Sequence, residues 1–168
     1  MPNPTLVAVD TNFPVLLAKE DNDALDALRV VRDRVRPAQI IVPPTVTEEL
    51  VVHAENSSDP VLRRLANIAL RRMEPVWHFH PASLTSLQES LVEGAALRLL
   101  RSGLLPSTEH NDATFVAESS VLNAILLVSN DSHLLAVDHR SLGLLFRELD
   151  LPLPVIVSPR EIVQKFYR

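Results

Sequence analysis

Residues 6–12 read Leu-Val-Ala-Val-Asp-Thr-Asn, and this stretch decides the fold. Its four apolar residues predict a buried β-strand because they form a short continuous run with no polar position. Asp10 follows the run directly, so it stands at the carboxyl end of the strand, where open parallel sheets bind their ligands. Thr11 and Asn12 continue into a helical pattern. The stretch therefore predicts an α/β fold with a chemical group at the edge of its sheet.

Strand-like runs alternate with longer helical patterns along the rest of the chain, which is typical of βαβ units and a mostly parallel sheet. We predict strands over 6–9, 39–42, 76–79, 124–128 and 153–157. Helices are predicted over about 11–18, 23–35, 60–73, 83–102, 112–123, 131–137 and 142–149. Residues 45–48 and 158–161 are predicted capping boxes that each open a further helix.

The pattern contains no repeat and no clear linker. We therefore expect residues 1–168 to form one domain. Its predicted architecture is a three-layer sandwich, in which helices flank a central and mostly parallel sheet.

The composition excludes several classes of protein. Of the 168 residues, 46% are hydrophobic, so the chain can bury a sizeable core. It has no cysteine, which excludes disulfides and thiolate sites and fits a reducing compartment. The first residues lack the pattern of a signal peptide, and no apolar run approaches the ~18 residues of a membrane-spanning helix. We therefore expect a cytoplasmic protein with no membrane partner.

The net charge of −5 argues against a general nucleic-acid coating protein, which would normally be basic. A nuclease is still compatible, because cations bound at an acidic site offset its negative charge. Arginines cluster within residues 29–36, 63–64 and 71–72. Such patches could track a phosphate backbone, but solvated helix faces paired with nearby acids are the plainer interpretation.

Four acidic residues occupy positions where an α/β fold presents its chemistry: Asp10, Glu49, Asp112 and Asp131. Carboxylates gathered at one edge of a sheet repel one another unless a cation neutralises them. Oxygen ligands suit Mg²⁺ or Mn²⁺, and the simplest reaction of such an ion is at a phosphate ester. Each acid alone could merely begin or cap a helix. The hypothesis therefore requires the four side chains to meet in one pocket.

Polar neighbours of these acids offer hydroxyl and amide groups that suit the support of a hard cation. They are Thr11, Asn12, Ser129 and Asn130. We assign Glu48 to the capping box and Glu49 to the metal site, because their side chains point about a quarter-turn apart on a helix. Three histidines stand near the acids in the sequence: His53, His110 and His133. His53 follows Glu49 by four residues and could touch the site, but we interpret it as a solvated or core-edge residue. His110 and His133 neighbour two of the acids and could shuttle a proton, a role that we do not assign to them.

The order of these motifs resembles the PIN-domain family of metal-dependent ribonucleases. Residues 7–12 (Val-Ala-Val-Asp-Thr-Asn) are similar to the family's opening strand and its Asp-Thr-Asn signature. Residues 46–50, 112–119 and 127–134 resemble its other three acidic motifs, and residues 155–163 its closing strand and helix. Residues 57–93 match nothing diagnostic. Val116 stands where some members carry a further acid, so the sequence does not decide whether the site binds one metal ion or two.

The resemblance implies endonucleolytic hydrolysis of RNA, with the four acids as metal ligands and catalytic residues. It also suggests the toxin of a bacterial toxin–antitoxin pair, with an antitoxin partner and a homodimer. One alternative is a PIN-like module that holds RNA or protein without cutting. Another is an aspartate-based phosphotransfer protein. A haloacid-dehalogenase-type phosphatase is disfavoured because Asn12 stands where that class needs its second Asp. A response-regulator receiver is disfavoured because Val157 is followed by Ser-Pro-Arg, without the Lys that this class needs after a late strand.

Overall fold

A five-stranded parallel sheet forms the centre of the computed structural model, which describes residues 3–35 and 38–166. Its strands are β1 (Thr5–Val9), β2 (Ala38–Val42), β3 (His80–Pro81), β4 (Leu126–Val128) and β5 (Val155–Val157). The spatial order is β3-β2-β1-β4-β5, and every neighbouring pair is parallel. The strand order reverses between β1 and β4, and the carboxyl ends of strands at such a switch point border the crevice where ligands bind.

Helices flank this sheet, as expected for parallel strands joined by crossovers. Within the described residues they are α1 (Asn12–Ala18), α2 (Asn22–Arg34), α3 (Pro44–Asn56), α4 (Pro60–Arg72), α5 (Ser86–Ser102), α6 (His110–Val121), α7 (Ser132–Leu135), α8 (His139–Glu148) and α9 (Pro159–Phe166). Helix α2 packs on α9, α3 on α4, and α5 on α6. The predicted α/β fold with a parallel sheet between helices is confirmed.

The core surrounds β1, whose last three residues, Val7, Ala8 and Val9, are fully buried. Phe13 of α1 stacks on Phe79 with ring centroids 6.2 Å apart. A buried phenylalanine stabilises a fold by about 1.5–3 kcal/mol through the apolar surface that it removes from water. The apolar run and Phe13 therefore hold the carboxyl end of β1 in a fixed place.

The strand predicted over residues 76–79 is wrong, because β3 comprises only His80 and Pro81. The backbone N–H of Trp77 donates to Arg72 O at 3.0 Å, and that of Phe79 donates to Met73 O at 2.8 Å. These groups are used in the turns that end α4, so they cannot pair with a strand. Trp77 and Phe79 are buried nonetheless, which explains their alternation with exposed neighbours.

One predicted capping box is confirmed and the other is wrong. Ser158 and Glu161 bond reciprocally, with Ser158 N–H donating to Glu161 Oε2 at 2.8 Å and Glu161 N–H donating to Ser158 Oγ at 3.1 Å. By contrast, α3 begins at Pro44, so Thr45 lies inside the helix and bonds to Glu118. Glu48 is exposed and is not part of a cap.

Residues 57–93, which carry no diagnostic motif, form α4, β3 and the first part of α5. Arg36, the last residue of the first arginine cluster, lies outside the described residues. No helix in the described ranges is long and apolar enough to cross a membrane.

Candidate metal centre

Asp10 is the buried anchor of the site, with only 7% of its surface exposed. Its Oδ1 accepts the Thr11 N–H at 2.7 Å, and its Oδ2 accepts Ser129 Oγ–H at 2.6 Å and Asn12 Nδ2–H at 3.1 Å. Burial raises the pKa of Asp10 from 3.8 to about 6, although the bonds from Ser129 and Thr11 oppose the rise. A carboxylate in this position is held firmly but is costly to ionise without a cation.

Glu49 lies within α3 and faces Asp10 across Thr11. Thr11 donates its hydroxyl to Glu49 Oε2 at 2.7 Å while its N–H donates to Asp10. Thr11 therefore bridges the two carboxylates. The other Glu49 oxygen, Oε1, lies 3.6 Å from His53 Nε2. We interpreted His53 as a solvated or core-edge residue, but its spacing of four residues from Glu49 on the helix allows this contact.

Asp131 caps the short helix α7 at the end of β4. Its Oδ1 accepts the N–H of His133 at 2.7 Å and that of Leu134 at 3.3 Å. The plainer interpretation of this acid as a helix cap is thus correct. The cap occupies Oδ1 and fixes the side chain, and it does not prevent Oδ2 from binding another group.

Ser129 is the link between Asp10 and Asp131. Its hydroxyl donates to Asp10 Oδ2 and accepts the Asp131 N–H at 3.0 Å. A second link runs between the loops that follow β1 and β4, where the Asn130 N–H donates to Asn12 Oδ1 at 3.0 Å. Asn130 therefore makes this contact through its backbone rather than through its side-chain amide.

Asp112 occupies the first turn of α6, where the helix dipole favours an acid. Its pKa is nevertheless raised from 3.8 to about 7. Burial is the main cause, and four nearby negative charges add to it: Asp131, Asp10, Glu109 and Glu49. Among the described residues, no group hydrogen-bonds to the buried Oδ2 of Asp112. An orphaned buried carboxylate oxygen is unusual in folded proteins.

The structure brings the four sequence-predicted acids within electrostatic range of one another. The charges of Glu49 and Asp131 raise the pKa of Asp10, and the charges of all three raise that of Asp112. Four separate parts of the fold supply them: the end of β1, the helix after β2, helix α6 and the segment after β4. The acids are therefore grouped rather than scattered.

Two residues that were not among the predicted site residues lie next to this group. Glu109 Oε1 is 3.3 Å from His133 Nδ1. One ligating atom from each of Glu109, Asp112 and His133 lies within 4.8 Å of the others. The sequence feature that could have identified Glu109 as a site residue is its position three residues before Asp112, which places both acids at the start of α6.

Glu118 is a further acid that the sequence interpretation missed. It is only 3% exposed, and burial raises its pKa from 4.5 to about 7. The sequence could have indicated its burial, because Glu118 is the single charged residue among the small and apolar residues of 113–121.

These residues fit a divalent cation. The donors are mainly carboxylate oxygens, which suit Mg²⁺ and Mn²⁺. Burial, together with mutual repulsion of the carboxylates, raises the pKa of Asp10 and of Asp112. The buried Oδ2 of Asp112 has no hydrogen-bond partner in the described ranges. A bound cation would neutralise the repelling carboxylates and give the Oδ2 of Asp112 a partner.

One arginine in each of the first two clusters makes a local contact on the surface. Arg29 pairs with Asp26 at 3.7 Å on the exposed face of α2. Arg63 donates through Nε to the Ser57 carbonyl at 3.0 Å. These contacts favour the interpretation as solvated helix faces.

No family model matches the sequence, and no curated protein matches it. Solved structures do share its fold. A chain of VapBC2 from Rickettsia felis, solved with a DNA fragment from its promoter, is 15% identical with a TM-score of 0.61. A chain of VapBC-1 from nontypeable Haemophilus influenzae is 13% identical with a TM-score of 0.58. Each alignment covers 92% of this chain and 98% of the other.

The fold and the acid group define an open parallel α/β protein whose carboxylates lie within electrostatic range of one another near the topological switch point. More specifically, the fold is similar to that of VapC PIN domains. The resemblance to the PIN-domain family is therefore confirmed at the level of the fold.

Proposed function

We propose that this protein is a divalent-metal-dependent endoribonuclease that hydrolyses RNA phosphodiester bonds. The observation that carries the proposal is the grouping of Asp10, Glu49, Asp112 and Asp131 in a fold similar to that of VapC PIN domains. These four carboxylates would hold Mg²⁺ or Mn²⁺. When bound, the ion would lower the pKa of a water molecule and stabilise the negative charge that grows on the scissile phosphate.

The surrounding residues hold the carboxylates in place before any ligand binds. Ser129 ties Asp10 to Asp131, and Thr11 ties Asp10 to Glu49. Such contacts reduce the reorganisation that metal binding would otherwise require. Because the pKa of Asp112 is about 7, this carboxyl is only partly ionised near pH 7, and a bound cation would favour its ionised form.

The comparisons also support a place in a toxin–antitoxin pair, because both structural neighbours are VapBC complexes. We extend the proposal to the toxin of such a pair, which acts on cytoplasmic RNA, forms a homodimer and has an antitoxin partner. Co-expression with the product of the adjacent gene, followed by co-purification and a growth assay, tests this part separately from cleavage.

Substitution of Asp10 by asparagine tests the nuclease. We expect the wild-type chain to cleave several RNAs with Mg²⁺ or Mn²⁺ and to lose activity in EDTA, and we expect the folded Asp10→Asn variant to be inactive. Asp138→Asn is a matched control, because Asp138 is an exposed cap of α8 that bonds to Ser141. An active Asp10→Asn variant would refute the proposal. Retention of RNA without metal and without cleavage would instead support a non-cleaving binding module.

A further inference from the structure

Helix α3, which carries Glu49, begins without a side-chain cap of its own. Its N-cap is Pro43 and its first residue is Pro44, and proline has no N–H. The N–H groups of Val46 and Thr47 both donate to Pro43 O at 3.1 Å. Of the N–H groups in the first turn, that of Thr45 still needs an acceptor, because helix starts leave their first N–H groups unpaired.

Glu118 of α6 supplies this acceptor from across the fold. The Thr45 N–H lies 3.2 Å from both carboxylate oxygens of Glu118, and Thr45 Oγ1 donates to Glu118 Oε1 at 2.8 Å. Glu118 is almost fully buried. A buried carboxylate is costly to maintain unless its bonds are retained, so this contact is a strong constraint on where α3 can begin.

The contact joins the two helices that present acids of the candidate site. Thr45 and Glu49 are four residues apart on α3, so they share one face one turn apart. Asp112 and Glu118 are both on α6. A displacement of the first turn of α3 relative to α6 would therefore change the distance between Glu49 and Asp112.

We propose that Glu118 is a positioning residue for the acidic site: it caps α3 from α6 and thereby sets Glu49 relative to Asp112. The inference rests on the proposed function, since it concerns the same acids, but it concerns their geometry rather than the reaction. Glu118 itself touches neither substrate nor metal in this role. It acts through Thr45 and the first turn of α3.

The experiment measures Mn²⁺ affinity by titration calorimetry, with RNA cleavage as a second readout. Glu118→Ala should weaken Mn²⁺ binding about tenfold to a hundredfold, as is typical when a group that orients a ligand is lost. Glu118→Gln keeps one acceptor oxygen and should recover part of that loss. Glu161→Ala is the matched control, because Glu161 caps α9 through Ser158 and that helix carries none of the four acids. It should leave Mn²⁺ affinity within twofold of wild type.

A double-substitution cycle separates positioning from general stability. If Glu118 acts through Glu49, Glu118→Ala should weaken Mn²⁺ binding in the wild type but add no further loss in a Glu49→Gln background. Its effect on Tm should be the same in both backgrounds. Equal losses of affinity in both backgrounds, or an unchanged affinity in a folded Glu118→Ala variant, would overturn the proposal.

Two further outcomes are also decisive. If Glu118→Ala does not fold, Glu118→Gln and Thr45→Val carry the test, because each removes part of the contact; wild-type affinity in both would overturn the positioning role. If the wild-type chain binds Mn²⁺ but cleaves no RNA, the proposed function fails while the affinity cycle still decides the role of Glu118.

Discussion

Replacement of Asp10 by asparagine should stabilise the metal-free protein at pH 8 while it abolishes cleavage. The carboxyl group is buried, and its pKa is raised from 3.8 to about 6, chiefly by burial. The ionised form is therefore disfavoured in the folded state, and the neutral amide of asparagine avoids this penalty. A site built for a cation is predicted to be a site of instability when the cation is absent.

The magnitude follows from the pKa and the hydrogen bonds. A rise from 3.8 to about 6 corresponds to about 3 kcal/mol of destabilisation once the group is ionised in both states. If the amide oxygen of asparagine accepts the Thr11 N–H, its NH2 group replaces Oδ2 and can accept from neither Ser129 nor Asn12. The loss of these two bonds together costs about 1 kcal/mol. The net gain is about 2 kcal/mol, or about 4–8 °C in Tm for a chain of this size.

The stability difference between the wild type and Asp10→Asn depends on pH. Because the folded pKa is the higher one, the unfolded chain releases its proton first, and wild-type stability falls as pH rises from about 4 to about 6. The penalty is then constant at higher pH. The advantage of Asp10→Asn should therefore be close to zero at pH 4.5 and fully developed at pH 8.

The assay is thermal or urea unfolding of both proteins in EDTA at pH 4.5 and pH 8, with Asp138→Asn as the control. Addition of Mn²⁺ should raise the Tm of the wild type and leave that of Asp10→Asn unchanged, because only the wild type retains the site. A variant that is less stable than the wild type at pH 8, or an advantage that does not change with pH, would refute the electrostatic reasoning.

Further expectations concern the same site and its surroundings. Ser129→Ala removes the hydroxyl that donates to Asp10, so Mn²⁺ affinity should fall about tenfold to a hundredfold by calorimetry, and an unchanged affinity would contradict the bridging role. Wild-type Mn²⁺ affinity should rise between pH 6 and pH 8, because Asp112, with a pKa of about 7, must release its proton to bind the ion; a flat profile would argue against Asp112 as a ligand. Glu161→Ala should lower stability by about 1 kcal/mol through loss of the α9 cap with no change in cleavage rate, and a slower reaction would show that α9 influences the site.

Most of the fold was predictable from local patterns. The apolar run before Asp10 and the run ending at Val128 both form buried strands, because continuous apolar residues are typical of a sheet covered on both faces. The strand predicted at Trp77 and Phe79 was wrong because the same kind of local pattern was used there. Its alternation reflects burial against the core, and periodicity alone does not reveal that the backbone groups are already bonded in the turns that end α4.

The two predicted capping boxes also show that a local sequence pattern does not by itself decide the structure. Both have Ser or Thr followed three residues later by Glu, yet only Ser158–Glu161 forms the cap. Upstream of Thr45, the pair Pro43-Pro44 starts α3 two residues earlier than a cap at Thr45 would, because proline fits the first helical position. Thr45 then has a partner 73 residues away in Glu118.

The sequence by itself determined the type of fold and which acids stand at strand ends and helix starts, because these depend on neighbouring residues and on short-range propensity. Only the tertiary structure decided that the acids meet, that Ser129 bonds to Asp10 across 119 positions, and that Glu118 caps α3. Those contacts join residues far apart in the chain. Their energies depend on burial and on the distances between charges, which exist only once the elements have packed.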